Sequence, residues 1–460
     1  MAVQLNTHFT YKKLFRAVIP SILMMIFISI YSIVDGLFVS NFVGTTAFAG
    51  LNLVYPILMI VGALGFMIGS GGSALVSKTL GEGKKELANQ YFSMFVCLTL
   101  ILGVSISTIL YILTPEIAVL LGAEGEMIEY CVIYARTCLI FQTCFIVQNT
   151  FQSFFMTAEK PHLGLILSLI SGVCNMILDA VFIVGFDMGI RGAALATGLC
   201  QTIGAVVPVF YFLIKKDLNI RLVKPKFDIK AMFKGCFNGI SELVTNISAS
   251  VVGIIYNYQL LRLAGENGIA SYGVILYAQF VFLAVFFGYS MGTAPIVGFN
   301  YGANNKEELQ NVFKKSIKVI SITSVILVLV AELIARPISL VFVSYDVALL
   351  NMTVRGFRIF AIGFIICGFN IFTSAFYTAL NNGLVSLLLS LGRTFIFQIL
   401  AVSILPILFE LDGVWLANVM VESLSIIMSL LFIVLMRNKY EYYGKINDQR
   451  REGELKYENI

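Results

Sequence analysis

Residues 215–230, KKDLNIRLVKPKFDIK, form the only long polar interruption in the chain, and they fall near its middle. The rest is apolar: of 460 residues, 58% are hydrophobic and only 12% charged, with a mean hydropathy of +0.90. Soluble domains run closer to about half apolar and a quarter charged. The excess is gathered into stretches of roughly 20 or more residues almost free of charge, enough to cross ~30 Å of hydrocarbon at 1.5 Å per residue. Residues 14–41 are the first such stretch and 414–436 the last. Inside a bilayer every backbone polar group needs an internal partner, so helices are expected, and the alternation of barrel strands is absent. The first stretch is too long for a signal-peptide core and lacks a small-residue cleavage site, so it reads as retained.

Apolar runs between polar breaks predict twelve spans: 14–41, 46–77, 90–113, 127–156, 163–184, 192–214, 231–263, 269–299, 312–335, 347–379, 384–407 and 413–436. The basic residues test this count. One set of connections holds Lys12, Lys13 and Arg16, then Lys78, Lys84 and Lys85, then Lys160, the 215–234 stretch, Lys306 with Lys314, Lys315 and Lys318, and the tail from Arg437. The alternate connections are acidic or neutral, as at 115–129 and 408–412. The positive-inside rule then predicts a multi-pass inner (cell) membrane protein with both termini cytoplasmic. The net charge of +5 is accounted for by loops facing anionic headgroups of the lipid bilayer, and no nucleic-acid partner is expected.

The two sides of the 215–230 interruption repeat one another. Phe155-Met156-Thr157-Ala158 matches Phe376-Tyr377-Thr378-Ala379, and Gly192-Ala193-Ala194-Leu195-Ala196 matches Gly413-Val414-Trp415-Leu416-Ala417, both at an offset of 221. Leu80-Gly81-Glu82-Gly83-Lys84-Lys85 resembles Tyr301-Gly302-Ala303-Asn304-Asn305-Lys306. The fold expected is therefore all-α: twelve transmembrane helices in two pseudo-symmetric six-helix lobes around a central cavity. The lobes are read as 1–214 and 231–436, joined by a cytoplasmic linker at 215–230 and followed by a cytoplasmic tail at 437–460. Six is even, so both halves enter the membrane from the same side and the repeats are parallel. That geometry suits a carrier better than an enzyme.

The eight cysteines are scattered through apolar stretches with no CxxC, and the two histidines, His8 and His162, fall outside the spans. Redox and zinc chemistry are not expected.

A Gly-rich end of the second span (69–74, GSGGSA) running into Gly81-Glu82-Gly83-Lys84-Lys85, its echo at 292–304, and Ile19-Pro20 with Asp35 in the first span resemble the MATE family of multidrug and toxic-compound extrusion carriers, nearest its MepA/DinF-like bacterial branch. The resemblance covers about residues 10 to 436. It implies two lobes set in a V and export of amphipathic, often cationic small organic molecules, driven by inward H⁺ or Na⁺. No other cofactor is expected, and a monomer is.

Ionisable groups inside spans are expensive and stand as functional candidates. Asp35 lies in span 1, Asp179 in span 5, Glu242 in span 7, Arg136 in span 4, Arg393 in span 11 and Glu422 in span 12, the last with no evident partner. Glu332 and Arg336, four apart in span 9, read as a local ion pair. Asn175 and Asp179 share a helix face by the same spacing, as do Thr197 and Gln201. The resemblance carries the first-lobe cation-coupling role onto Asp35, Asn175, Asp179 and Thr197, which as hard oxygen donors suit a shared proton or a Na⁺ ion; an inert hydrogen-bond network worth ~0.6 kcal/mol per bond is the alternative. A bend at Pro20 is a candidate moving element. Span 10 carries no acid, only Asn370, so a complete second-lobe cation site is not expected. Candidates for the substrate cavity are Glu242, Gln148, Gln152, Tyr256, Tyr277, Phe280 and Met291, since aromatic faces and methionine sulfur adapt to varied cations. A flippase for lipid-linked oligosaccharides is the competing function; it calls for several deep Arg or Lys, and only Arg136 and Arg393 qualify.

Overall fold

The computed structural model describes residues 4–43, 45–215 and 217–444; Lys216 of the expected linker and the expected tail beyond Gly444 lie outside them. The described residues are helical wherever they are regular, with no strand among them. Spans 1 to 6 are Tyr11–Phe42, Thr45–Gly81, Lys85–Leu120, Glu126–Thr157, Pro161–Gly185 and Gly189–Ile214. Spans 7 and 8 form one 63-residue helical run, Ile240–Gly302, broken at Gly265, whose φ of +63° only glycine adopts readily. Span 9 is Lys306–Val343. Span 10 is the pair Val347–Ala361 and Phe364–Ala379, bent by 48°. The last run, Gly383–Tyr440, is broken at Glu410 (φ +48°) into span 11 (383–409) and span 12 (411–440). Among the described residues nine runs are long and apolar enough to cross a membrane, and the bent pair supplies a tenth. The breaks at Gly265 and Glu410 divide two of these, which gives the twelve spans expected.

The helices outrun the apolar stretches that announce them. Span 3, expected at 90–113, occupies Lys85–Leu120, because backbone hydrogen bonding continues into the headgroup layer after apolar side chains end. One boundary is corrected. Span 7 does not begin at 231: Ile229–Asn238 is a separate short helix, capped by Asp228 Oδ1 accepting from the Ala231 N–H at 3.1 Å, and span 7 proper starts at Ile240. Span 1, by contrast, runs unbroken through Pro20.

Two groups of buried side chains serve the first half. One gathers Phe92, Phe95, Phe151, Phe154 and Phe212, and the other Val39, Leu58, Tyr134 and Leu139. The second half has a larger core around Phe286, Phe313, Phe360, Phe376 and Trp415. Leu14, Ala17 and Val18 of span 1 belong to that second core although their helix begins the first half. Small residues allow this, as they do generally where helices meet in a membrane. A Cβ on Gly292 of span 8 would meet Val18 at 3.0 Å, and one on Gly288 would meet the Ile22 backbone at 2.5 Å. Span 2 meets the second half as closely: a Cβ on Gly239 would lie 1.9 Å from the Met67 carbonyl oxygen. These approaches lie toward the end of the molecule that carries Gln4, Gly444 and the basic connections, hereafter the basic end.

Candidate functional site

Span 5 can lie against span 1 because Gly172 leaves room; a Cβ there would stand 2.5 Å from a Phe27 ring carbon. About one and two turns further along, Asn175 and Asp179 are buried, at 3% and 0% exposure. The regular α-helix ends at Asp179, and a wider π-helical segment, Ala180–Gly185, completes the span. Such bulges often sit at functional positions because they re-aim the side chains beside them. Here the Asp179 carboxyl lies within hydrogen-bonding reach of Asp35 on span 1. Asn175 Nδ2 points the other way and reaches Thr197 Oγ1 of span 6 at 3.4 Å.

What these groups lack is as informative as what they have. Asp35 Oδ1, Asn175 Oδ1 and both Asp179 oxygens are buried without a protein donor. Ionised carboxylates only accept hydrogen bonds, so two of them in mutual reach need a proton or a cation between them. The resemblance implied a group of Asp35, Asn175, Asp179 and Thr197, and the four side chains lie side by side in the structure. The structure adds neighbours that the sequence reading passed over: Tyr31, one turn before Asp35, together with Tyr55, Tyr134 and Cys138, all close enough to feel the Asp35 charge. Only Tyr31 carried a signal, its i,i+4 spacing. For a Na⁺ ion the donor set fits, since each of the four side chains offers a hard oxygen and the amide of Asn175 is turned to Thr197. Among the described residues no group of three or more His, Cys, Asp or Glu gathers elsewhere to hold a metal, and the eight cysteines are all unpaired.

The other candidates divide. Gln148 and Gln152 of span 4 each leave a side-chain oxygen buried and unpartnered. Gln152 Nε2 reaches Asn149 Oδ1 at 3.4 Å. Glu242 and Met291 are half-buried, and Phe280 is 58% exposed. Tyr256 stands apart from a cavity wall. It is 1% exposed, stacked on Tyr272 at 4.8 Å, and donates to Gln398 Oε1 at 3.1 Å, so it is taken up by packing inside the second lobe. Tyr277 is stacked on Phe342 of span 9 at 5.8 Å.

Three partnerships correct the sequence reading. Glu422 is not alone: Arg393 donates Nη2 to its Oε1 at 2.7 Å and Nε to both its oxygens, and Asn370 Nδ2 donates to Oε2 at 2.7 Å. Ser429 then donates to Asn370 Oδ1 at 3.0 Å. Glu332 lies beside Arg358 at 3.4 Å, in place of the pair expected with Arg336. Arg136 donates to the Tyr111 carbonyl at 3.2 Å and lies over the Tyr111 ring. Glu422 stands 221 residues after Gln201, which is one turn from Thr197, so the second lobe's acid in that region is one already paired with Arg393.

A twelve-span, two-lobed membrane protein with an uncompensated acid pair in one lobe has the architecture of a carrier. The MatE family model matches it twice, at residues 20–181 and 243–403, and the chain belongs to that family. It is similar to the multidrug export protein MepA of Staphylococcus saprophyticus, 25% identical over 442 residues covering 93% of this chain and 94% of that one. MepA of Staphylococcus haemolyticus is 26% identical, covering 94% and 96%. Among solved structures, the outward-facing conformation of a multidrug resistance MATE family transporter of the MOP superfamily superposes with a TM-score of 0.90 at 23% identity, over 96% of this chain and 99% of that one.

Proposed function

We propose that this chain exports amphipathic, cationic drugs by antiport with H⁺ or Na⁺, and that Asp35 and Asp179 bind the coupling ion. The family and the multidrug exporters it resembles support efflux, and one observation carries the coupling role: two carboxyls in mutual reach, three of whose oxygens are buried with no protein donor. A cation or proton arriving between them would remove the repulsion between the two carboxylates and let span 1 repack against span 5. Asn175 and Thr197 orient the site, Asn175 offering its oxygen to the ion while its amide is spent on Thr197. A Na⁺ ion bound there would supply charge neutralisation, the same service as a proton. One charge crossing ~100 mV yields ~2.3 kcal/mol, and each pH unit adds ~1.4 kcal/mol, enough to drive accumulation against a gradient.

In this reading the basic end faces the cytoplasm in the cell membrane, both termini are inside, and a monomer suffices. The halves 1–214 and 231–436 rock as bodies about the 215–230 linker, parting alternately at each end. Glu242, Gln148 and Gln152 offer polar contacts to substrate, with Phe280 and Met291 as adaptable apolar ones. The competing flippase reading loses its support: Arg393 is neutralised by Glu422 and Arg136 is held at Tyr111, which leaves neither free for a pyrophosphate.

The test is drug uptake into everted vesicles under an imposed ΔpH or ΔNa⁺. Wild type should respond to one gradient; Asp35→Asn and Asp179→Asn should not. Wild-type transport rates in both variants under every gradient would remove the coupling role.

A further inference from the structure

The residues before span 1 do more than lead into it. Gln4 to Thr10 lie across the basic end and contact both halves. On the second half, the Glu308 carboxylate accepts from the Phe9 N–H at 2.9 Å and pairs with His8 Nδ1 at 2.7 Å. Asn311 Nδ2 and Lys315 Nζ both donate to the Phe9 carbonyl, at 3.0 and 2.6 Å. Leu5 and Phe9 are 3% and 1% exposed and belong to the second half's core. On the first half, the Leu5 N–H donates to Glu159 Oε1 at 2.7 Å.

Glu308 and Glu159 are both placed where the N-terminal segment uses them. Glu308 is the third residue of span 9, where a glutamate would ordinarily turn back to its own helix cap. Asn305 already caps that end, accepting from the Glu308 N–H, and the carboxylate, which also accepts from Asn311 Nδ2 at 2.7 Å, reaches His8 and Phe9. Glu159 sits in the turn between spans 4 and 5 at φ +59°, a left-handed conformation that strains a residue with a Cβ. The equivalent turn of the second half has Asn381 at φ +57°, a residue better suited to that backbone. Asn381 also bridges the halves, donating to the Ala74 carbonyl of span 2 at 3.1 Å. A strained glutamate is thus kept where its carboxylate reaches the N-terminal segment.

We infer that residues 4–10 are a strap that holds the two halves together at the basic end, closing that end while the opposite end is open. The inference rests on the proposed reading that the halves part alternately. The strap's two attachments are unequal. Four hydrogen bonds and two buried side chains fix it to the second half, and one hydrogen bond fixes it to the first. Opening of the basic end therefore breaks the Leu5–Glu159 contact, and the strap departs with the second half.

The experiment measures the distance between spin labels at Glu86→Cys and Glu307→Cys, exposed positions on the two halves at the basic end, with the native cysteines replaced. Wild type should populate a short and a long distance. Deleting residues 4–9, which leaves the Thr10 cap of span 1, should raise the long-distance fraction roughly tenfold, the effect of losing at least one charge-assisted hydrogen bond. Glu308→Ala should do the same and Glu308→Gln, which keeps an acceptor for the Phe9 N–H, should do so less. Two wild-type populations that the deletion leaves unchanged would overturn the strap. A single wild-type population under all conditions would overturn the alternating reading beneath it. If Glu308→Ala fails to yield folded protein, the deletion decides alone.

Discussion

Gly81 and Gly302 make the same contact twice. A Cβ on Gly81 would stand 2.0 Å from the Phe299 carbonyl oxygen, and a Cβ on Gly302 would stand 2.0 Å from the Lys78 carbonyl oxygen. Both pairs are related by 221 residues, so spans 2 and 8 cross backbone to backbone on the pseudo-symmetry axis, at the basic end.

Adding a methyl on either side of this crossing must push the halves apart. Gly81→Ala and Gly302→Ala should each destabilise the closed basic end by about 1–3 kcal/mol, and by similar amounts because the contact is reciprocal. The labelled pair at Glu86→Cys and Glu307→Cys would show it as a gain in the longer distance. Unequal responses of the two variants would mean that the symmetry is only apparent.

Neutralising one acid of the first-lobe pair removes the need for a shared proton or cation. Drug binding to Asp35→Asn or Asp179→Asn should therefore lose its dependence on pH and Na⁺ while folding is kept. Binding titrations across pH in detergent, with melting temperature as the control, would test this; a pH profile identical to wild type would contradict it.

The Arg393–Glu422 pair behaves differently because it is satisfied and buried, at 15% and 3% side-chain exposure. Removing one partner strands a charge, so Arg393→Met or Glu422→Gln should cost about 3–5 kcal/mol, and the double variant should recover most of that loss. Thermal unfolding of the purified variants gives the comparison. Additive losses in the double variant would show that the pair is not what holds these spans.

Burial pushes the Glu159 carboxyl above its ordinary range, against the opposing pull of the Leu5 N–H and of Lys160. A raised pKa in the folded state means that its contribution to stability is complete below the ordinary glutamate value and is lost as pH rises through the raised one. Glu159→Gln should thus flatten the mildly acid limb of the stability profile, measured as melting temperature against pH. An unchanged limb would assign it to other groups.

The span count and the 221-residue offset were legible because each rests on a short-range or repeated pattern, apolar length and the alternation of basic loops; in the Asp35 cluster, i,i+4 spacing joined only Asn175 to Asp179, and the family resemblance implied Asp35 and Thr197. Glu422 and Arg393 were not joined because they sit 29 residues apart on neighbouring spans, and nothing in either helix's periodicity says which faces meet. The π-helical turn at Gly392–Ile396 adds to this by rotating Arg393 out of the register that α-helical spacing implies. Glu332 shows the converse: Arg336 had the right spacing, yet Arg358 lies beside it. The strap was invisible for a simpler reason. Residues 4–10 have no periodicity, and their partners lie some 150 and 300 residues away.

Span 1 is shared between the two cores, with Leu14, Ala17 and Val18 in the second half and Asp35 beside Asp179 in the first. Val18 and Asp35 are separated by about 25 Å of helix at 1.5 Å per residue. A single stiff rod therefore has its chemistry at one end and its mechanical load at the other. On the proposed coupling role, an ion at Asp35 would act on the seam between the halves through one continuous helix, in which Pro20, just inside the loaded end, is the residue with no backbone N–H to donate.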